Sequence, residues 1–169
     1  MIIKLGAGVV AFVVDWAQQM AEFKQANGGQ DKWFDVANTS MNVQIVGKLG
    51  EVVAGVALGC PPSFDIYSGG DDGCDLAAWG LSWQVKTSSR SELIFDDASK
   101  FSADAAVLVM HCATKLLVVD DPRFEVLGGI SRSRFMSRCV VKDYGYGDRL
   151  VVGSESLTPL DAIGGMILP

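Results

Sequence analysis

The sequence predicts one α/β domain: a mixed central sheet flanked by helices, with an extra helix at the N-terminal end. Three observations carry this. Residues 9–26 and 41–58 repeat apolar side chains at helical spacing. Residues 105–112 form a continuous apolar run of the kind that fills a sheet interior. Residues 74–77 and 81–87 are short β-rich runs on either side of Trp79-Gly80, where glycine supplies the positive φ of a tight hairpin turn. A chain of 169 residues, 49% hydrophobic and 20% charged, suits a single folded domain with a sizeable core. No repeat or low-complexity segment divides it. The expected organisation is an N-terminal helical region (1–40), a core (41–120) and a C-terminal strand and helix extension (121–169).

Taken in order, the chain opens on an apolar stretch that imitates a signal peptide but has no small-residue cleavage site before Asp15-Trp16. The stretch is also shorter than the roughly 20 apolar residues that span a bilayer, so no membrane partner is expected. Gly6-Ala7-Gly8-Val9-Val10-Ala11 matches G-x-G-x-x-A, yet no strand ending in an acid follows at the spacing a dinucleotide site requires. Instead Val9, Phe12, Val13, Trp16, Met20 and Phe23 recur at helical intervals, predicting an amphipathic helix that packs on the core or on a second subunit.

Asn27-Gly28-Gly29 stops this helix, and residues 30–39 form a short helical or irregular piece with Trp33 and Phe34. The second helix, 41–58, buries Val43, Val46, Val53, Ala54 and Ala57, and Cys60-Pro61-Pro62 ends it. Residues 64–67 are the expected first strand of the sheet. After the hairpin come a polar loop, the strand 105–112, a further strand at 115–119 closing at Asp120-Asp121-Pro122, and a strand at 124–130. Ser131 opens a helix to residue 138, and Pro159 lies near the first turn of a short terminal helix.

With Trp79-Gly80 as the loop, Ala78 pairs with Leu81, which places Asp75 opposite Gln84. Alternation then puts Gln84 and Lys86 on the same face as Asp75. A carboxylate, a second oxygen ligand and a lysine on one exposed concave patch are what magnesium-dependent phosphodiester hydrolysis needs. Asp71 and Asp72 compete with Asp75 for the ligand role, although Gly-Gly-Asp-Asp-Gly is ordinary turn chemistry. Asp75, inside a strand beside Leu76, would be costly without a metal or partner, and Lys86 beside Val85 wants a charged neighbour.

Asp75, Gln84 and Lys86 resemble the D…QxK variant of the PD-(D/E)xK nuclease superfamily, and Gln84-Val85-Lys86-Thr87-Ser88 is similar to a strand of its phage and bacterial members. Gly47-Lys48-Leu49-Gly50-Glu51 resembles the G-x-x-G-E helical element with which many members supply another acid. Residues 128–132, 144–147 and 150–152 look like the closing region of phage-type relatives. The resemblance covers roughly residues 43–119 and implies a restriction-endonuclease-like fold that cuts DNA. It implies Mg²⁺, with Mn²⁺ able to substitute, held by Asp75, Glu51, the Gln84 side-chain oxygen and the Val85 carbonyl. Lys86 would position or help activate the attacking water. Glutamine in place of an acid removes one negative charge, which favours one metal over two. A homodimer or tetramer is expected, because cutting two strands takes two sites. The implied location is the cytoplasm, of a bacterial host if the protein is phage-encoded.

The net charge of −6 excludes a nonspecific nucleic-acid coater, which needs a basic surface, but not a nuclease whose acids are neutralised by metal. The one locally basic stretch carries Arg132, Arg134, Arg138, Lys142 and Arg149 against Asp143 and Asp148. It reads as a solvated helix face or as a phosphate-contacting arm, with Arg132, Arg134 and Arg138 the expected nucleic-acid contacts. Cys60, Cys74, Cys112 and Cys139 lack C-x-x-C spacing and are expected as reduced, mostly buried thiols. His111, the only histidine, ends an apolar run and suits a core or strand-end position. The acidity, the missing middle acid and the short basic arm support an alternative: a catalytically inactive nuclease-fold accessory or anti-defence binding protein.

Overall fold

The computed structural model describes residues 1–27, 40–65, 73–112, 122–145 and 147–167. Two long helices, α1 (Ala7–Ala26) and α2 (Ser40–Leu58), precede the hairpin of β2 (Leu76–Ala78) and β3 (Leu81–Ser88). β4 (Glu92–Phe95), β5 (Ala105–His111) and β6 (Arg123–Ser131) follow, then α3 (Arg132–Arg138), β7 (Val140–Asp143), β8 (Asp148–Gly153) and α4 (Leu160–Ile167). A short β1 (Ile2–Lys4) pairs antiparallel with β6. The class is α/β, as expected. The expected strand at 115–119 and the piece at 30–39 lie outside the described residues. Of the strand expected at 64–67, the described part, Phe64 and Asp65, is not in a strand.

The strands form a five-stranded sheet in the order β1-β6-β5-β3-β2 and a three-stranded sheet in the order β4-β8-β7. The first is mixed, because β3 and β5 run parallel while its other neighbours are antiparallel. β3 sits inside it, so its two faces look into two cores. Trp83 and Val85 join Val107 and Val109 of β5 against α1 and α2. On the opposite face Ala106 and Leu108 meet Leu93 and Phe95 of β4, Phe135 of α3 and Val152 of β8.

The buried stripes of the helices differ from the expected ones. In α1, Val10, Val13 and Ala17 are buried, whereas Val9, Phe12 and Phe23 are exposed. In α2, Ile45, Leu49, Val53, Ala54 and Leu58 are buried and Val43 is exposed. Both helices are apolar on more than one side, so periodicity alone could not select the stripe that meets the sheet. The polar loop expected after Ser88 contains β4, which pairs with β8, and β7 was likewise not anticipated.

α2 approaches β3 closely at Gly50. A Cβ there would lie 2.9 Å from Thr87 Cβ and overlap Thr87 Oγ1. Gly50→Ala should therefore lift the helix off the sheet and destabilise the protein by about 1–3 kcal/mol. Denaturant unfolding checks this, and Thr87→Ala in the same chain should recover part of the loss.

In the smaller sheet Glu92 accepts hydrogen bonds from Lys142 Nζ at 2.5 Å and from the Tyr144 hydroxyl at 2.8 Å, tying β4 to β7 across β8. Lys142 first, and Tyr144 after it, hold the Glu92 carboxyl below its ordinary value of 4.5. A group depressed in the folded state contributes stability that is complete above its unfolded-state value and is lost as pH falls through the folded value. The unfolding midpoint should thus drop as pH is lowered from about 5 to about 3, and Glu92→Gln should make that drop shallower.

Candidate active site

β3 pairs with β5 from Trp83 to Ser88, but β2 covers only its first three residues, Leu81 to Trp83. Backbone groups of alternate strand residues point to opposite neighbours, so past Trp83 every second residue of β3 faces a side where β2 has ended. Asp75 fills that gap with its side chain. The Val85 N–H donates to Asp75 Oδ2 at 2.6 Å, and the Asp75 N–H donates to the Trp83 carbonyl at 2.9 Å. The hairpin register is the expected one, with Ala78 opposite Leu81. Asp75, however, precedes β2 instead of lying inside it opposite Gln84, and its carboxylate meets the β3 backbone at Val85. In a strand the C=O of a residue points with its N–H, so the Val85 carbonyl is turned toward the Asp75 side as well.

Gln84 and Lys86 share one face of β3, opposite Ala106 and Leu108 of β5. That face is not an open concave surface at Gln84, which is 8% exposed. The reason is the second layer, whose apolar residues cover this side of the sheet. Gln84 Oε1 is buried and has no hydrogen-bond partner among the described residues. Lys86 is half-buried, with Nζ 5.0 Å from the centre of the Phe95 ring, and no ion pair joins it to Asp75. The expected charged neighbour is replaced here by an aromatic face, which attracts an ammonium through its quadrupole. Phe95 was missed because β4 was read as loop. The signal was there: Leu93 and Phe95, two apart, mark the buried face of a short strand.

Glu51 comes from the helix expected to supply it, but its carboxylate is ion-paired with Lys48 one turn earlier. Lys48 Nζ also donates to the Ser63 carbonyl at 3.0 Å and stands 4.7 Å above the Trp16 ring. Neighbouring Gly50 faces Thr87, which lies on the opposite side of β3 from Gln84 and Lys86. Glu51 is therefore presented from the helical side of the sheet. Among the described residues no three His, Cys, Asp or Glu side chains cluster as a metal site. The hard-oxygen donors at β3 are one carboxylate, the Gln84 amide oxygen and the Val85 carbonyl, a set that suits Mg²⁺ or Mn²⁺ in chemistry.

The three arginines separate. Arg132 Nε donates to the Phe101 carbonyl at 2.6 Å, and Arg134 donates to Thr158 Oγ1 at 3.1 Å. Arg138 lines a cavity with Lys142 on the smaller sheet. None of the four cysteines is in a disulfide, and all are half-buried, less enclosed than expected. His111 is the last residue of β5, in the strand-end position anticipated. None of the helices described is long and apolar enough to cross a membrane. No protein-family model matches this chain, and no curated protein or solved structure matches it either.

Substitutions at two positions separate architecture from chemistry. Asp75→Ala should strand the Val85 N–H and cost about 1–3 kcal/mol, whereas Asp75→Asn keeps an acceptor oxygen and should cost less. Gln84→Leu removes a buried oxygen that lacks a partner and should leave stability unchanged or raise it. Thermal and denaturant unfolding of the three variants tests both expectations.

Proposed function

We propose that this protein is a divalent-metal-dependent DNA endonuclease of restriction-endonuclease-like fold, with its reaction centre at the β2 edge of β3. The observation that carries the reading is the buried, unpartnered Gln84 Oε1, in the strand whose next residue, Val85, is held by the Asp75 carboxylate. A buried amide oxygen left without a donor is destabilising, and a metal ligand role would explain its retention. Asp75, Gln84 and the Val85 carbonyl would hold Mg²⁺, and the ion would supply Lewis-acid polarisation of the scissile phosphate. Lys86, fixed over Phe95, would place its ammonium toward the phosphate or the attacking water. Glu51 would join only by exchanging Lys48 for the metal, so one ion is favoured over two. A homodimer or tetramer would let paired sites cut both strands.

A second reading has its own observation. Asp75 is already used by the Val85 N–H and Glu51 by Lys48, so both acids have structural work without metal. On that reading the chain is a catalytically inactive nuclease-fold binding protein.

The deciding experiment incubates the protein with supercoiled plasmid, linear duplex, single-stranded and four-way-junction DNA, with and without Mg²⁺ or Mn²⁺, beside Mn²⁺ titration calorimetry. Cleavage should require metal. Asp75→Asn should lose both cleavage and Mn²⁺ binding while remaining folded. Lys86→Ala should reduce cleavage by a factor on the order of 10² or more with Mn²⁺ binding retained. Gln84→Glu should keep cleavage and tighten the ion. Absence of metal-dependent cutting on all four substrates, uncorrected by Gln84→Glu, would establish the inactive scaffold instead.

A further inference from the structure

The smaller sheet holds a cavity of 310 Å³, with Val152 of the apolar layer among its lining residues. Its lining comes from separate parts of the chain: Glu92 of β4, Arg138 of α3, Val140 and Lys142 of β7, Val151 of β8, and Glu155 in the turn that follows. Small-molecule sites begin at about 300 Å³, so the space fits a compact ligand.

The charges around it are specific. Glu92 and Lys142 neutralise one another, and the Tyr144 hydroxyl also holds Glu92 in place. Arg138 and Glu155 make no hydrogen bond or ion pair among the described residues. The Glu155 carboxylate folds over the backbone of Gly153, where a Cβ would overlap both of its oxygens. Ser91 and Ser156 contribute further polar lining, and Val140, which is exposed, supplies apolar surface beside the charged groups, with Val151 buried beneath.

From this arrangement we propose that the cavity binds a small zwitterion of the amino-acid class. Its carboxylate pairs with the Arg138 guanidinium, whose fork matches carboxylate geometry. Its ammonium meets Glu155, and its aliphatic side chain covers exposed Val140. A carboxylate alone would pair with Arg138 but lie beside Glu155, and an ammonium alone would pair with Glu155 but lie beside Arg138 and beside Lys142, which already feels the Glu155 charge. A phosphate group would face Glu155 and Glu92 together, which turns this cavity away from the nucleic-acid backbone. The proposal assigns Arg138 to a small ligand and is independent of phosphodiester cleavage, since it uses none of the residues on β2 and β3.

The test is titration calorimetry of the full chain at low ionic strength with L-leucine, with 4-methylpentanoate as the carboxylate alone and with isoamylamine as the ammonium alone. L-leucine should bind saturably, and both single-charge analogues more weakly. Arg138→Ala and Glu155→Gln should each weaken L-leucine by about tenfold or more. Both positions are exposed, and circular dichroism confirms that the variants are folded. Absence of saturable L-leucine binding, equal binding of either analogue, or unchanged binding in both variants would overturn the proposal, whatever the outcome of the DNA-cleavage experiment.

Discussion

Six consecutive residues of β3 pair in parallel with β5, from Trp83 against Ala105 to Ser88 against Met110, and the other layers are arranged around that ladder. Parallel pairing encloses both faces of a strand, because its crossover chain has to pack back on the sheet. The helices take one side of β3 through Trp83, Val85 and Thr87. The smaller sheet and α3 close the other through residues such as Phe95 and Phe135. Gln84 and Lys86 are thus polar side chains directed at an apolar layer. One is buried with an unpaired oxygen, and the other rests its ammonium on an aromatic ring.

On one edge of this enclosed strand the hairpin partner β2 stops after pairing Leu81 to Trp83. If β2 extended further, it would satisfy the Val85 backbone and leave no room for a side chain at the edge. Because it stops, the Asp75 carboxylate does the work of a strand neighbour. The same placement keeps an anionic oxygen beside the Val85 carbonyl and next in sequence to Gln84. Structural satisfaction and the proposed metal chemistry therefore make opposite demands on Asp75 and the same demand on its position. Gln84 shows the tension from the other side, since its amide oxygen costs stability wherever it lacks a donor or a cation.

Several features were legible in the residues alone. The turn at Trp79-Gly80 has positive φ at both positions, 56° and 75°, and its register follows from that two-residue loop. The continuous apolar run became β5, and Ser131 caps α3 through its side chain, as its residue type predicts. These are local matters, decided by neighbours within a few positions in the chain. Less local matters went wrong. Val9 and Phe12 of α1, expected in the buried stripe, are exposed. β4 and β7 were read as loop or left out, because a strand of four residues offers at most one apolar pair, such as Leu93 and Phe95, to set it apart from a turn.

The candidate site divides along the same line. By themselves the residues determined the hairpin, the shared face of Gln84 and Lys86, and the presence of Glu51 on a helix. Only the tertiary structure decided that Asp75 would meet the Val85 backbone, that Glu51 would pair with Lys48, and that Phe95 would lie under Lys86. Strand alternation and turn geometry act over a few residues and are written in the order of side chains. The partner a charged or polar group finds depends on which distant segment packs against it, and that is settled only when the two cores form on either side of β3.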